Sequence, residues 1–510
     1  MLDDARPDGA GARLYRDPAE IVVADTPGEV PAALEQLRRA GSRGLHAAGY
    51  LTYDAGMGLE ARAEAQSGDP PCLWFGLFER YDAVSLPSLL PDPAGAWAGA
   101  LQPNVTRARY GAQFARVAEL IAAGDIYQAN LTFRAAVKTA GSPLALYALL
   151  RGRAAAGYGA LIGTGARWLL SFSPELFFAL EGRELTARPM KGTAVRDPDP
   201  ERDRKAAEEL AADPKQRAEI LMIVDLMRND LARVARPGSV AVPQLFHVER
   251  YPTVHQMVST VTAELCEGLD AVDALSALFP CGSITGAPKL RAMQVIAEAE
   301  HDARGIYTGS IGRIDVDGAA MFNVAIRTLA MQDGVATLGL GSGIVADSTA
   351  SEEWEECLAK GAFVTKDETG FDLIETMRFE PTTGIALLER HLARMKVSAD
   401  TFGFAFDRHA ARNELQAATF RTRHEARVRL LLSRSGAIAI GIAPPPPPPL
   451  APVSVAIMRR EVAPDDFRLV HKTSRRSIYP RAPGAFETLY LDAEGYLTEG
   501  SFTSIFVRSA

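Results

Sequence analysis

The run KQRAEILMIVDLMRNDLARVA, residues 215 to 235, leaves this chain little choice but helix. Asp213 is placed as its N-cap and Pro214 in its first turn, and Pro237 with Gly238 stops it. The central stretch ILMIVDLM is apolar on nearly every side, which predicts a helix enclosed by protein rather than one lying on a surface. Such a helix needs structure all around it, and 510 residues exceed what a single growing core holds, so two domains are expected. Polar side chains in an enclosed helix must be paired internally or line a site, which singles out Glu219, Asp225, Arg228, Asn229 and Asp230.

Up to about residue 365, strand-like runs such as WLLSFS, LFFAL and YTGSIGRIDV alternate with helical stretches and glycine turns, a mixed α and β layout. After AKGAFVTKDETG the pattern restarts with a short strand, a turn and an amphipathic helix, which places a domain boundary near residues 365 to 370. The segment APPPPPPLAP, residues 443 to 452, can form neither helix nor central strand and reads as a stiff connector between two lobes. A net charge of −8 lacks the organised basic surplus that nucleic acid demands, which excludes it as the main partner. The opening MLDDARPDGAGARLYRDPAE has no basic segment followed by an apolar one, and no apolar run is long enough to cross a bilayer, so a cytoplasmic location is expected. Cys72, Cys266, Cys281 and Cys357 lie far apart with no CxxC spacing and read as structural thiols.

Two clusters carry possible chemistry. In ELTARPMKGTAVRD, Lys191 stands between a proline and a glycine at a strand end with Arg188 nearby, either paired with a carboxylate or placed as a reactive amine. In STASEEWEECLAK, with Ser348 or Thr349 as cap, Glu353, Glu356 and Lys360 share one helix face. A solvated Glu to Lys pair would be worth only about 0.3 to 0.5 kcal/mol. The approach GLGSGIVADS lets backbone come close to a ligand just before that helix, and Glu219 is a candidate third carboxylate. Carboxylates alone, completed by water and substrate oxygens, suit Mg²⁺ rather than zinc.

GDIYQANLT, SFSPELFF, RPMKGT, KQRAEILMIVDLMRNDLARV, YPTVHQMVSTV, CGSITGAPKLRAM, GIYTGSIG, FNVAIRTL and GSGIVADSTASEEWEEC resemble, in order, the motif series of the chorismate-utilising enzymes. The likeness spans roughly residues 45 to 365. It implies an α+β fold over residues 1 to 365, antiparallel sheets packed as a sandwich with surrounding helices, with an N-terminal part to about 100 and the catalytic motifs from 105. Isochorismate and salicylate synthases in that family carry a lysine where this chain has Gln128, and anthranilate synthases a small residue where it has Lys191, so the aminodeoxychorismate branch fits best. The resemblance makes Lys191 a covalent nucleophile toward ring C2 and Glu175 the general acid for the departing 4-hydroxyl. It makes Glu219 and Glu356 direct Mg²⁺ ligands, with Glu353 acting through water. Tyr307 and Arg327 would grip the enolpyruvyl carboxylate, while Gly341, Gly343, Ser283, Thr285, Lys360 and Gln128 would complete the substrate site. The anthranilate branch has histidine where this chain has Gln256, and His255, one position earlier, reads as structural. An unperturbed lysine is neutral in only about one molecule in 2,500 at pH 7, so burial beside a cation such as Arg188 is expected. None of the four cysteines has the setting of a glutaminase nucleophile, so a separate glutamine amidotransferase subunit is implied as the ammonia source.

In the tail, FRLVHKTSRRSIY and GYLTEGSFTSIF resemble the fold-type IV pyridoxal phosphate enzymes, aminodeoxychorismate lyase in particular, over residues 371 to 510. That implies Lys472 as the cofactor lysine, Glu499 at the pyridine nitrogen and Arg394 at the phosphate. The family usually has asparagine where Ser504 stands, and its members continue past a further glycine/threonine loop. The domain therefore reads as incomplete, either truncated or a remnant.

Overall fold

A computed structural model describes residues 1 to 510 except 7, 61–70, 252–253, 333, 366–369, 448, 450–451, 504 and 506–510. The expected boundary segment, part of the proline run and Ser504 thus lie partly or wholly outside the described residues.

The chain divides into two compact units, the first comprising Met1–Leu89, Leu101–Val137 and Leu150–Val364. Its frame is two ten-stranded sheets. One sets Gln128–Ala140 beside Val335–Ile344, then Thr328–Gln332, Trp168–Ser173 and Tyr158–Gly163. The other runs Met190–Val195, Val254–Glu264, Glu184–Arg188, Leu176–Glu181, Ala320–Asn323, Ser310–Ile314 and His46–Leu51 outward to Leu73–Phe78 and Glu20–Ala24. Tyr50 and Ile311 of the second sheet pack with Ala160, Ile162 and Leu169 of the first, which makes the pair a sandwich. Helices Val30–Ser42, Pro214–Ala232 and Ala271–Leu278 cover the second sheet and share its main core.

The helix Pro214–Ala232 starts where the sequence placed it: the Asp213 carboxylate accepts from the backbone N–H groups of Lys215 and Gln216. It is not enclosed. Ile220, Ile223, Val224, Met227 and Leu231 form one buried stripe, while Leu221 is 44% exposed and Asp225 pairs with Arg228 at 2.8 Å on the open side. The helix lies against a single sheet, so one stripe of contacts satisfies it despite its apolar opposite face. Asp230 is the exception among its polar residues, buried and paired with Lys289 at 2.8 Å.

The second unit comprises Leu90–Ala100, Lys138–Leu149 and Thr365–Ala510. The first two of those segments precede residue 365, and a boundary read from the restart of the pattern leaves them out. Trp97 explains the first: its ring meets Phe402 edge-on at 5.1 Å inside a core built by Phe371, Leu392, Phe404 and Leu430. A four-stranded antiparallel sheet, with Leu373–Glu380 and Ala426–Leu432 at its centre, carries helices Leu388–Phe402 and Arg408–Thr419. A three-stranded sheet pairs Val455–Arg459 parallel to Glu487–Leu491 and that strand antiparallel to Leu497–Gly500.

Candidate active site

Lys191 owes its aim to a bulge. Strand Met190–Val195 pairs antiparallel with Val254–Glu264, and between the pairs Met190 with Val258 and Thr193 with Gln256 it holds one residue more than its partner. Gly192, at φ +77°, takes the left-handed turn that the bulge requires. Gln256 secures it: its side-chain N–H donates to the Gly192 carbonyl at 2.7 Å, and its oxygen accepts from Thr193 Oγ1 at 3.0 Å. His255 points elsewhere, fully buried with Nε2 at 2.8 Å from Asp203, a structural role as its strand position implied.

The Lys191 amine lies beside a strand stripped of side chains. Gly339, Gly341 and Gly343 alternate along Val335–Ile344, so a bare face runs down it. The Tyr307 ring occupies the space over Gly339, Thr132 that over Gly341, and three polar ends converge over Gly343. A Cβ on Gly343 would stand 2.6 Å from Gln128 Nε2, 3.0 Å from Asn130 Oδ1 and 3.1 Å from Lys191 Nζ. Gln128 and Asn130 are buried, and among the described residues neither end of the Gln128 amide nor the Asn130 oxygen has a hydrogen-bond partner. Unpaired buried amides are costly, so this pair is arranged for a polar group that the fold itself does not supply. Asn130 did not figure among the sequence candidates, although its spacing of two from Gln128 puts it on the same strand face.

Although Lys191 as a residue is only partly covered, its amine is enclosed, and burial lowers its pKa from the ordinary lysine value. The Lys360 ammonium adds to that effect, while Glu219, Glu356 and Glu175 oppose it. The assisting cation is therefore Lys360 and not Arg188, whose guanidinium is committed to Glu249. Arg188 closes the strand Glu184–Arg188, and the bulge turns Lys191 away from it.

Glu175 is 4% exposed and its carboxyl is pushed up to about 7 by burial, against the Ser283 hydrogen bond and the charges of Lys191 and Lys360. Ser283 Oγ donates to Glu175 Oε1 at 2.8 Å, and Thr285 Oγ1 donates to the Cys281 carbonyl at 2.8 Å. Both hydroxyls are thus spent within the protein, one on the Glu175 carboxyl and one on the turn that carries Ser283.

On helix Ala350–Gly361, Thr349 is the cap, accepting from the Glu352 N–H, and Ser348 instead donates to Glu353 at 2.7 Å. Glu356 pairs with Lys360 at 2.7 Å, and Lys360 also donates to the Gly341 carbonyl at 3.1 Å. Among the described residues no group of three or more acidic, histidine or cysteine side chains is arranged to hold a metal ion. The expected cage of Glu219, Glu353 and Glu356 is therefore not preassembled, because like charges repel and two of the three have found other partners. The donors still suit a hard cation. Glu219 has no hydrogen bond or ion pair among the described residues, and burial, with Glu356 and Asp347 nearby, raises its pKa. Lys191 and Lys215 offset part of its charge, and its two carboxylate oxygens remain hard donors of the kind Mg²⁺ takes.

Arg327 sits at φ +49° with its guanidinium enclosed, and burial lowers its pKa. Among the described residues it pairs with no carboxylate, and Tyr251 is its one electrostatic neighbour. Tyr307 is buried instead near Arg304, Glu300 and Cys357, so no contact among the described residues joins it to Arg327 as the expected pair.

In the second unit, burial lowers the pKa of Lys472, and Arg394, Arg429 and Arg476 stand within electrostatic reach of its amine, opposed by Glu375. An amine held among three guanidinium groups suits an aldehyde that bears a phosphate. Arg394, however, is held as a fork by the buried Glu375, which also engages His391 Nδ1 at 2.6 Å, so its expected phosphate role is taken up within the protein. Glu499 engages Arg460 and accepts from the Tyr479 hydroxyl at 3.1 Å.

A family model described as chorismate binding enzyme matches residues 8–366. The chain belongs to this family. A second model, amino-transferase class IV, matches residues 372–510, so the C-terminal part of this chorismate-binding enzyme is a fold-type IV aminotransferase domain. Aminodeoxychorismate synthase component 1 of Escherichia coli is 46% identical over 259 residues, 51% of this chain and 57% of that protein. Anthranilate synthase component 1 of Streptomyces coelicolor is 44% identical over 258 residues, 50% of each. The matched segment is thus little more than half the length of these curated relatives. Among solved structures, anthranilate synthase component I from Streptococcus pneumoniae superposes with a TM-score of 0.60 at 24% identity, covering 70% of this chain and 92% of that one, a likeness of fold alone.

Proposed function

We propose that the chorismate-binding unit is an aminodeoxychorismate synthase component that turns chorismate and ammonia into 4-amino-4-deoxychorismate, a step toward 4-aminobenzoate and folate. The single observation that carries this reading is the Lys191 amine: enclosed, lowered in pKa and turned by a bulge toward the polar ends over Gly343. In the first step Nζ bonds to ring C2, both ring double bonds shift by one position, and the C4–O bond breaks as Glu175 supplies the proton that lets hydroxide leave as water. Ammonia then bonds to C4, both double bonds shift back, and the C2–Nζ bond breaks to free the lysine. The proton shed by the new amine returns to the Glu175 carboxylate. Gln128, an amide, cannot activate water as a base, which favours ammonia as the second nucleophile. The enclosed Arg327 offers a fork for a substrate carboxylate. Glu219 and Glu356 would hold Mg²⁺, which when bound supplies positive charge for the ring carboxylate. Ammonia would come from a partner glutamine amidotransferase subunit, in keeping with the naming of relatives as component 1.

Relatives also bear the name anthranilate synthase, and Lys191 is the feature that favours the aminodeoxychorismate product instead. The protein given chorismate, Mg²⁺ and ammonium is expected to yield aminodeoxychorismate by mass spectrometry and to stop when a chelator removes the metal. Anthranilate fluorescence without added lyase would reverse the assignment.

For the C-terminal domain we infer pyridoxal phosphate binding at Lys472, where Arg429 and Arg476 would hold the phosphate, and lyase chemistry on the first unit's product. The cofactor when bound supplies an electron sink, and Lys472 holds the proton that moves during elimination of pyruvate. Adding pyridoxal phosphate should produce visible absorbance that Lys472→Ala lacks; equal absorbance in both proteins would refute the inference.

A further inference from the structure

The turn that presents Ser283 is built with unusual care for a hydroxyl whose one proton goes to Glu175. Gly282–Ile284 is a single 3₁₀ turn following Cys281, pinned by the bond from Thr285 Oγ1 to the Cys281 carbonyl. Gly282 lets it press onto the helix Pro214–Ala232, since a Cβ there would meet Leu226 Cδ2 at 2.6 Å and Met227 Cε at 2.9 Å. Cys281 and Ser283 are each 3% exposed, and Cys281 Sγ lies 3.2 Å from Ser283 Oγ. Ser283 has one hydroxyl proton, and the 2.8 Å bond to Glu175 Oε1 uses it. While that bond stands, the thiol is the donor to the serine oxygen, and the chain Cys281 S–H, Ser283 O–H, Glu175 Oε1 runs in one direction. The Glu175 backbone is clamped separately: its N–H donates to Ser173 Oγ, and its carbonyl accepts from the Val324 N–H. Oε2 makes no hydrogen bond among the described residues.

We propose that Ser283, oriented by the Cys281 thiol, is a positioning residue for Glu175: it makes Oε1 the accepting oxygen, so the proton that Glu175 delivers is carried on Oε2. The inference rests on the reading of Glu175 as the acid of the synthase reaction. Without Ser283 the proton is no longer confined to Oε2, and the carboxyl loses the bond that holds its plane in the delivering orientation. The hydrogen bond also favours the ionised form of Glu175, so its removal raises the pKa further.

The test is the pH profile of turnover by the full chain with chorismate, Mg²⁺ and saturating ammonium. Ser283→Ala is expected to lower kcat by about 10- to 100-fold, with KM for chorismate little changed and the alkaline limb moved to higher pH. Cys281→Ala should show a smaller loss with the same direction of shift, and Cys281→Ser, which keeps a donor at that place, should restore the wild-type profile. A side chain that merely supports the fold would lower activity and melting temperature without moving the limb. Should Ser283→Ala fold poorly, the two Cys281 variants decide the matter by themselves. An unmoved limb in Ser283→Ala, or equal profiles for Cys281→Ala and Cys281→Ser, would overturn the proposal while leaving Glu175 as the acid. Full activity in Glu175→Gln would instead overturn the acid assignment and this inference with it.

Discussion

Lys191→Ala should abolish the covalent adduct that intact-protein mass spectrometry detects when the protein meets chorismate without ammonia. Turnover with ammonia should fall by on the order of 10³-fold or more, because a nucleophile that forms the intermediate has no substitute within reach. Lys191→Arg would keep the positive charge and most of the volume but lose the neutral amine, and should be as inactive as the alanine variant. Chorismate binding should survive in both, since Gln128, Asn130 and Arg327 remain in place. An adduct of unchanged abundance in Lys191→Ala, or one mapped by proteolysis to another residue, would remove the basis of the proposed reaction.

A second large effect concerns protonation of Glu175. Its pKa in the folded protein is raised to about 7, chiefly by burial, so the acid form that the first step needs is abundant below that pH and lost as pH rises through it. Turnover should accordingly decline above about pH 7 along a one-proton limb. Glu175→Gln has no proton to give at any pH, and should lose about 10²- to 10⁴-fold in kcat together with that limb. On the acid side the requirement runs the other way, since Lys191 must be neutral to attack and protonates as pH falls through its own lowered pKa. A Glu175→Gln profile that kept the wild-type alkaline limb would show that another group titrates there.

The contrast between Lys191 and Arg188 shows how far the sequence could lead. That an amine flanked by proline and glycine at a strand end is unusual could be read from residues 184 to 197 alone. Which cation depresses its pKa could not, because sequence proximity favoured Arg188 whereas the extra residue in the bulge turns Lys191 toward Lys360. The carboxylates divide the same way. Helical periodicity put Glu353, Glu356 and Lys360 on one face, yet which pairs form depended on distances that periodicity does not set, and Glu353 settled on Ser348 while Glu356 settled on Lys360.

The amino-acid sequence by itself determined what is local or periodic: the capped start of the helix at Pro214, the alternating glycines of Val335–Ile344, and an order of motifs that matches the chorismate-binding family. Tertiary structure alone decided whether the apolar helix would be enclosed or laid on one sheet, and which early segments would join the second unit through Trp97. It also decided that Ser283 would spend its hydroxyl on Glu175. Those outcomes depend on contacts between residues far apart in the chain, where burial and hydrogen-bond geometry outweigh any preference a short stretch can express.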